Sequence, residues 1–64
     1  MRYVVTKSPE GWFTGFCRED FFLRNPAIFA EDSFEAFEGP EPDGSDESFD
    51  EVKRIAMALC NEIR

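Results

Sequence analysis

The stretch that decides the fold is Ser48-Phe49-Asp50-Glu51-Val52-Lys53-Arg54-Ile55-Ala56-Met57-Ala58-Leu59-Cys60-Asn61-Glu62-Ile63. Phe49, Val52, Ile55, Ala56, Leu59, Cys60 and Ile63 recur at three- and four-residue steps, the spacing that aligns one face of an α-helix. Lys53 and Arg54 fall off that stripe. Ser48 followed three residues later by Glu51 reads as a capping box: Ser48 caps the first turn and Glu51 reaches back to its N–H. Asp50 and Glu51 suit the positive end of the helix dipole, and Arg64 the negative end. The spacing predicts an amphipathic helix over residues 48–63, laid on a sheet.

The sheet is sought upstream. Arg2 to Lys7 is rich in Tyr, Val and Thr, which suit a pleated strand. Ser8-Pro9-Glu10-Gly11 supplies turn residues. Trp12 to Arg18 alternates, with Trp12, Thr14 and Phe16 assigned to one face and Phe13, Gly15 and Cys17 to the other. Residues 2–18 therefore read as a β-hairpin. A hairpin alone is marginal in water, so a third strand or a helix must cover it. Residues 19–38 are ambiguous. Asn25-Pro26 resembles an N-cap with Pro at N1, opening a short helix through Ala30; Ala27 to Ala30 reads equally as a buried strand. A third antiparallel strand is expected between 27 and 38, and residues 39–47 read as an acidic loop. The expected fold is α+β, a three-stranded antiparallel sheet with one C-terminal amphipathic helix packed on it, in one small domain over residues 1–64.

Charge is the second signal. The 64 residues carry 14 acids, seven bases and no histidine, for a net charge of −7. Ten of the acids (Glu31, Asp32, Glu35, Glu38, Glu41, Asp43, Asp46, Glu47, Asp50 and Glu51) lie in a 21-residue segment that has no base. The remaining 43 residues hold seven bases and four acids, a balance of +3. This is a slightly basic body bearing a −10 segment, whose self-repulsion something must offset. Such a balance argues against direct nucleic-acid binding, which draws on Lys and Arg neutralising phosphates, and against docking on an anionic membrane. No apolar run approaches the ~20 residues of a membrane span, and the N-terminus does not read as a secretory signal.

Chemistry finds little to work with. Without histidine the usual zinc sites and general bases are missing. Aligning Gly44 with the glycine of an EF-hand loop puts Gly39 in place of the first ligand and Asp50 in place of the bidentate Glu, so calcium is set aside. Paired carboxylates would need a walled pocket to raise one pKa. The expectation is a non-enzyme with no cofactor and no metal. Cys17 and Cys60 read as two reduced thiols on apolar stripes, which would face each other if the helix crossed the hairpin.

The acidic run offers a density of negative charge resembling a nucleic-acid backbone, suited to a basic groove in another protein. Phe34 and Phe37 lie within it, and an aromatic anchor ringed by charge is a common interface design. The candidate partner-binding residues are Glu31, Asp32, Phe34, Glu35, Phe37, Glu38, Glu41, Asp43, Asp46 and Glu47. Reversing Glu35, Glu38 and Asp43 to Lys is expected to abolish inhibition without unfolding the domain.

A short, strongly acidic chain with a strand–strand–helix order and no catalytic set resembles the small phage-encoded anti-CRISPR proteins, including those against type I systems such as type I-C. That resemblance rests on size, charge layout and element order rather than a motif. It implies a cytoplasmic inhibitor in a bacterial host that blocks the target-DNA site of an effector complex as a DNA mimic. The order of hairpin, third strand and helix is also similar to HicB-like antitoxin domains, which neutralise a basic RNA-cleaving toxin. This chain departs from that family in its long acidic loop before the helix. A third reading is a phage accessory interaction protein. A monomer is favoured, with homodimerisation through an open strand edge as the alternative.

Overall fold

The computed structural model describes residues 1–63. Three strands, β1 (Arg2–Lys7), β2 (Phe13–Arg18) and β3 (Ser33–Glu38), alternate with two helices, α1 (Glu19–Arg24) and α2 (Asp46–Cys60), in the order β1-β2-α1-β3-α2. The strands form one antiparallel sheet in the order β2-β1-β3, with β1 in the middle. The α+β fold with a C-terminal helix on the sheet is as the residue pattern predicts. The third strand falls inside the expected range. Arg64, expected at the negative end of the helix dipole, lies outside the described residues.

Placing β1 centrally gives its alternate side chains two different layers to enter. Tyr3 and Val5 face α2 and form a core with Phe37, Val52, Ala56 and Cys60, flanked by Phe13, Phe16, Ile55, Leu59 and Ile63. Full burial of a residue such as Val5 contributes about 1.5–3 kcal/mol. Val4 and Thr6 point the other way and are 1% and 2% exposed, so the second face is covered too. The cover comes from residues 19–32. Phe22 of α1 packs on Phe34, which lies opposite Thr6, with ring centroids 4.8 Å apart. Phe29 packs on Phe22 at 5.1 Å. The eight Phe rings thus divide between the two faces: Phe13, Phe16, Phe37 and Phe49 with α2, and Phe21, Phe22, Phe29 and Phe34 with α1.

The simple alternation expected along β2 is broken by a bulge. Thr6 pairs with Gly15 but Lys7 pairs with Phe13, which leaves Thr14 as the extra residue. One added residue shifts the side-chain phase, so Phe13 joins Phe16 on the α2 face instead of opposing it. Gly15 permits this with φ of +146°, which L side chains rarely adopt. The Thr14 hydroxyl hydrogen-bonds Asp32 Oδ2 at 2.9 Å and lies 2.7 Å from the Thr6 hydroxyl.

The Asn-Pro signal marks the end of a helix, not its beginning. Glu19 and Asp20 occupy the first turn of α1 and Arg24 the last, each at the end its charge favours. The Asn25 side chain donates to the Phe21 carbonyl (2.9 Å) and its N–H to the Phe22 carbonyl (3.2 Å), closing the helix before Pro26. Neither the helix nor the buried strand considered for residues 25–30 is formed; turns run from Pro26 to Glu31. The C-terminal helix also starts earlier and ends sooner than its apolar stripe suggests, so the loop before it spans 39–45. Its cap is Ser45, whose Oγ accepts the Ser48 N–H at 3.2 Å, while the Ser48 hydroxyl donates to the Ser45 carbonyl. The capping box expected at Ser48 and Glu51 is therefore not formed: the cap lies three residues earlier, and the Ser45 N–H donates to Asp43 rather than to a side chain of the first turn. The chain continues through turns to Ile63, whose carbonyl accepts from Lys7 Nζ at 2.9 Å.

The two cysteines are separated by the sheet. Cys17 pairs with Val4 and so faces away from α2, whereas Cys60 is buried in the α2 core; both are free thiols.

Candidate functional site

The acidic run begins in the turn before β3, follows that edge strand along its length and continues through the loop into α2. Glu31 precedes the strand, Glu35 sits at its middle, and Glu38 closes it; all three are exposed. Six residues at ~3.4 Å each give this edge a length of about 20 Å. Glu41, Asp43, Asp46, Glu47, Asp50 and Glu51 continue the charge, all exposed. Charged side chains on an edge strand also discourage a second chain from pairing with it.

The loop in the middle of this run is pinned at both ends. At the start, Met1 and Gly39 exchange two hydrogen bonds, 2.8 and 3.0 Å, and the Tyr3 hydroxyl donates to the Pro40 carbonyl at 2.6 Å. Gly39 permits the approach, because a Cβ there would lie 3.0 Å from the Tyr3 ring. At the end, Asp43 accepts from both the Ser45 hydroxyl and the Ser45 N–H. Those bonds favour the ionised carboxylate and hold Asp43 down to about 2, well below the usual carboxylate range.

Ion pairing leaves the run almost untouched. The arginines of the first half pair among themselves with nearby acids: Arg2 with Glu19, and Arg18 and Arg24 with Asp20. Among the described residues, no Lys or Arg pairs with any acid of the run. Its one ion pair is Glu38 with the Met1 amino group, at 3.2 Å.

The candidate residues from the sequence do not all serve the surface. Phe37 is 6% exposed and stacks on Tyr3 at 5.5 Å, so it belongs to the core and is no anchor. Phe34 is 57% exposed, and it alone of the two Phe candidates can meet a partner. Asp32 is half-buried and spent on Thr14. Glu38 holds the N-terminus and Asp43 the helix cap, so reversing either would disturb the fold as well as the charge. Glu31, Glu35 and Glu41 are exposed and make no side-chain hydrogen bond or ion pair among the described residues.

A feature that sequence reasoning passed over lies at the head of α2. An open cavity of about 300 Å³ is lined by the apolar Tyr3, Phe16, Phe49 and Val52 and by residues of the loop and first turn, among them Pro42, Ser45 and Asp46. Phe49 is 57% exposed although it belongs to the apolar stripe; its ring meets Phe16 at 5.4 Å, tilted 46°. The available signal was an aromatic residue in the first turn of a helix, set among four acids.

No helix among the described residues is long and apolar enough to cross a membrane. No protein family, curated protein or solved structure matches the chain.

Proposed function

We propose that the protein is a non-catalytic inhibitor that places its acidic run in a basic, nucleic-acid-binding groove of a partner protein. A fold of this kind does not name a function, so the reading rests on the site. The observation that supports it is the acidic run itself, ten carboxylates in 21 residues with no Lys or Arg partner among the described residues. A basic groove would offset the self-repulsion of that run and release counterions of its own. Phe34 supplies an apolar contact beside it. Charge steers the encounter and sets a salt-sensitive on-rate, while apolar contacts slow dissociation. The favoured partner is the effector complex of a type I CRISPR system, with occlusion of its target-DNA site as the mode of inhibition.

The test is a gel-shift competition at two salt concentrations, with purified effector complexes, nucleases and RNA-cleaving toxins as the panel. Loss of the shifted band with one complex, weaker at high salt and restored by the Glu31→Lys/Glu35→Lys/Glu41→Lys variant, is the expected result. Full inhibition by that variant refutes charge mimicry. No effect on any member of the panel makes the acidic run a solubilising face. The antitoxin reading draws support from the hairpin, third strand and C-terminal helix, although α1 stands between the hairpin and the third strand. Selective inhibition of an RNA-cleaving toxin would favour it.

A further inference from the structure

The cavity at the head of α2 joins two chemistries. Tyr3, Phe16, Phe49 and Val52 give it three rings and an aliphatic wall, and Asp46 is the one charged residue in its lining. Its volume of about 300 Å³ sits at the small end of ligand pockets, suited to one long side chain rather than a larger molecule. The surrounding segment, Glu31 to Glu51, contains no base. A carboxylate-bearing ligand would meet repulsion there, and a purely apolar one would desolvate Asp46 without pairing it. The matching occupant is apolar along its stem and cationic at its tip.

Lysine and arginine both meet that description, but they differ at an aromatic wall. The guanidinium is planar, weakly hydrated and stacks on ring faces, whereas the ammonium is a compact, strongly hydrated point charge. The Phe49 ring is 57% exposed and lines the cavity together with Asp46, its i−3 neighbour on α2. The helix dipole opposes a cation at this end, but it amounts to about half a charge. Asp46 and Glu47 set two full negative charges in the first turn, and Asp43 adds a third in the loop just before the Ser45 cap.

We propose that this cavity receives an arginine side chain of the partner protein, with its stem against Tyr3 and Val52 and its guanidinium over Phe49 beside Asp46. The proposal rests on the acidic-docking reading above and adds to it the residue type that the partner's groove must present.

The test measures fluorescence anisotropy of labelled hexa-arginine and hexa-lysine peptides on the full chain. Wild type is compared with Phe49→Leu, which keeps an apolar side chain but removes the ring, and with Phe49→Ala. Circular dichroism checks that each variant is folded. Because Phe49 is largely exposed, both variants should fold. The expected result is hexa-arginine binding about three- to tenfold tighter than hexa-lysine in wild type, the range for a partly desolvated cation–π contact. Both variants should lose that ratio while hexa-lysine affinity stays unchanged. Equal binding of the two peptides to wild type, or a ratio that survives Phe49→Leu, overturns the arginine site and leaves acidic docking standing. Binding of neither peptide at low salt overturns both.

Discussion

Replacing Ser45 by Ala removes the side-chain cap of α2, and the structure says how much that should cost. The Ser45 Oγ accepts the Ser48 N–H at 3.2 Å, and its hydroxyl donates to Asp43. Loss of a Ser cap typically costs about 1 kcal/mol. In a domain of this size that lowers Tm by about 4–8 °C. Ser48→Ala is the informative control. Its hydroxyl donates to the exposed Ser45 carbonyl, which water can satisfy, and Ala is the better helix former by up to ~0.5 kcal/mol. The two effects nearly cancel, so Ser48→Ala should leave Tm within a degree or two. Urea and thermal unfolding followed at the helix band, with both variants at equal concentration, give the comparison. If Ser48→Ala proves as destabilising as Ser45→Ala, the helix starts one turn later and the cap assigned here is wrong. The Ser45→Ala variant should also let the Asp43 carboxyl rise part of the way toward its ordinary value near 3.8, because the hydroxyl bond, the largest cause holding it low, is gone while the N–H of residue 45 still donates to it.

Other outcomes follow from the same contacts. In the wild type, Asp43 should titrate with a midpoint of about 2 by carboxyl-carbon NMR. A carboxylate lowered on folding favours the folded loop above its unfolded value and loses that contribution as pH falls through the folded one. The loop before α2 should therefore hold through pH 4 and loosen between about 3.8 and 2; loosening already at pH 5 would sink the assignment. Gly15→Ala meets no steric obstacle, since nothing lies within 4 Å of the added Cβ, yet it should cost about 1–3 kcal/mol from backbone strain alone. A neutral Gly15→Ala would mean that the bulge does not need its positive φ. Burial first, and then the Asp20 charge, push the Cys17 thiol above its ordinary 9.0. Alkylation of Cys17 at pH 8 should be slower than in the unfolded chain and faster in Asp20→Asn, as read by mass spectrometry; equal rates in folded and unfolded protein would refute this.

The acidic run has a structural side that bears on any function. Its loop is tied to β1 through Met1 and Tyr3 and to α2 through Asp43 and Ser45, so its charges project from a fixed frame. That frame lowers the entropy lost when a partner binds, in contrast to a loose acidic tail. It also divides the ten acids into those that build the fold and those free to act. Asp32, Glu38 and Asp43 belong to the first group; Glu31, Glu35, Glu41, Asp46, Glu47, Asp50 and Glu51, exposed and without a side-chain hydrogen bond or ion pair among the described residues, belong to the second.

Elements with local signals were legible from the residues alone. The stripe from Val52 to Cys60 repeats every three or four residues, and only a helix puts those side chains on one face. Strands β1 and β2 and the turn between them were legible from β-branched residues and Ser-Pro-Glu-Gly, and the charge of residues 31–51 needs no fold to be counted. Tertiary structure decided everything that depends on distant partners. β3 could pair with either open side of the hairpin, and its place beside β1 comes from residues 19–32 crossing the face opposite α2. The bulge at Thr14 inserts one residue and reverses the facing of Phe13, which no local alternation can foresee. Asn25 can satisfy orphan groups at either end of a helix, so the side it serves depends on the chain that packs around it. Phe34 and Phe37 look alike three residues apart, but in a strand that odd spacing sends one to the solvent-facing α1 layer and the other into the core. The cavity is the last such case: Tyr3, Phe16 and Phe49 come from three elements, and only packing α2 across β1 and β2 brings their rings together.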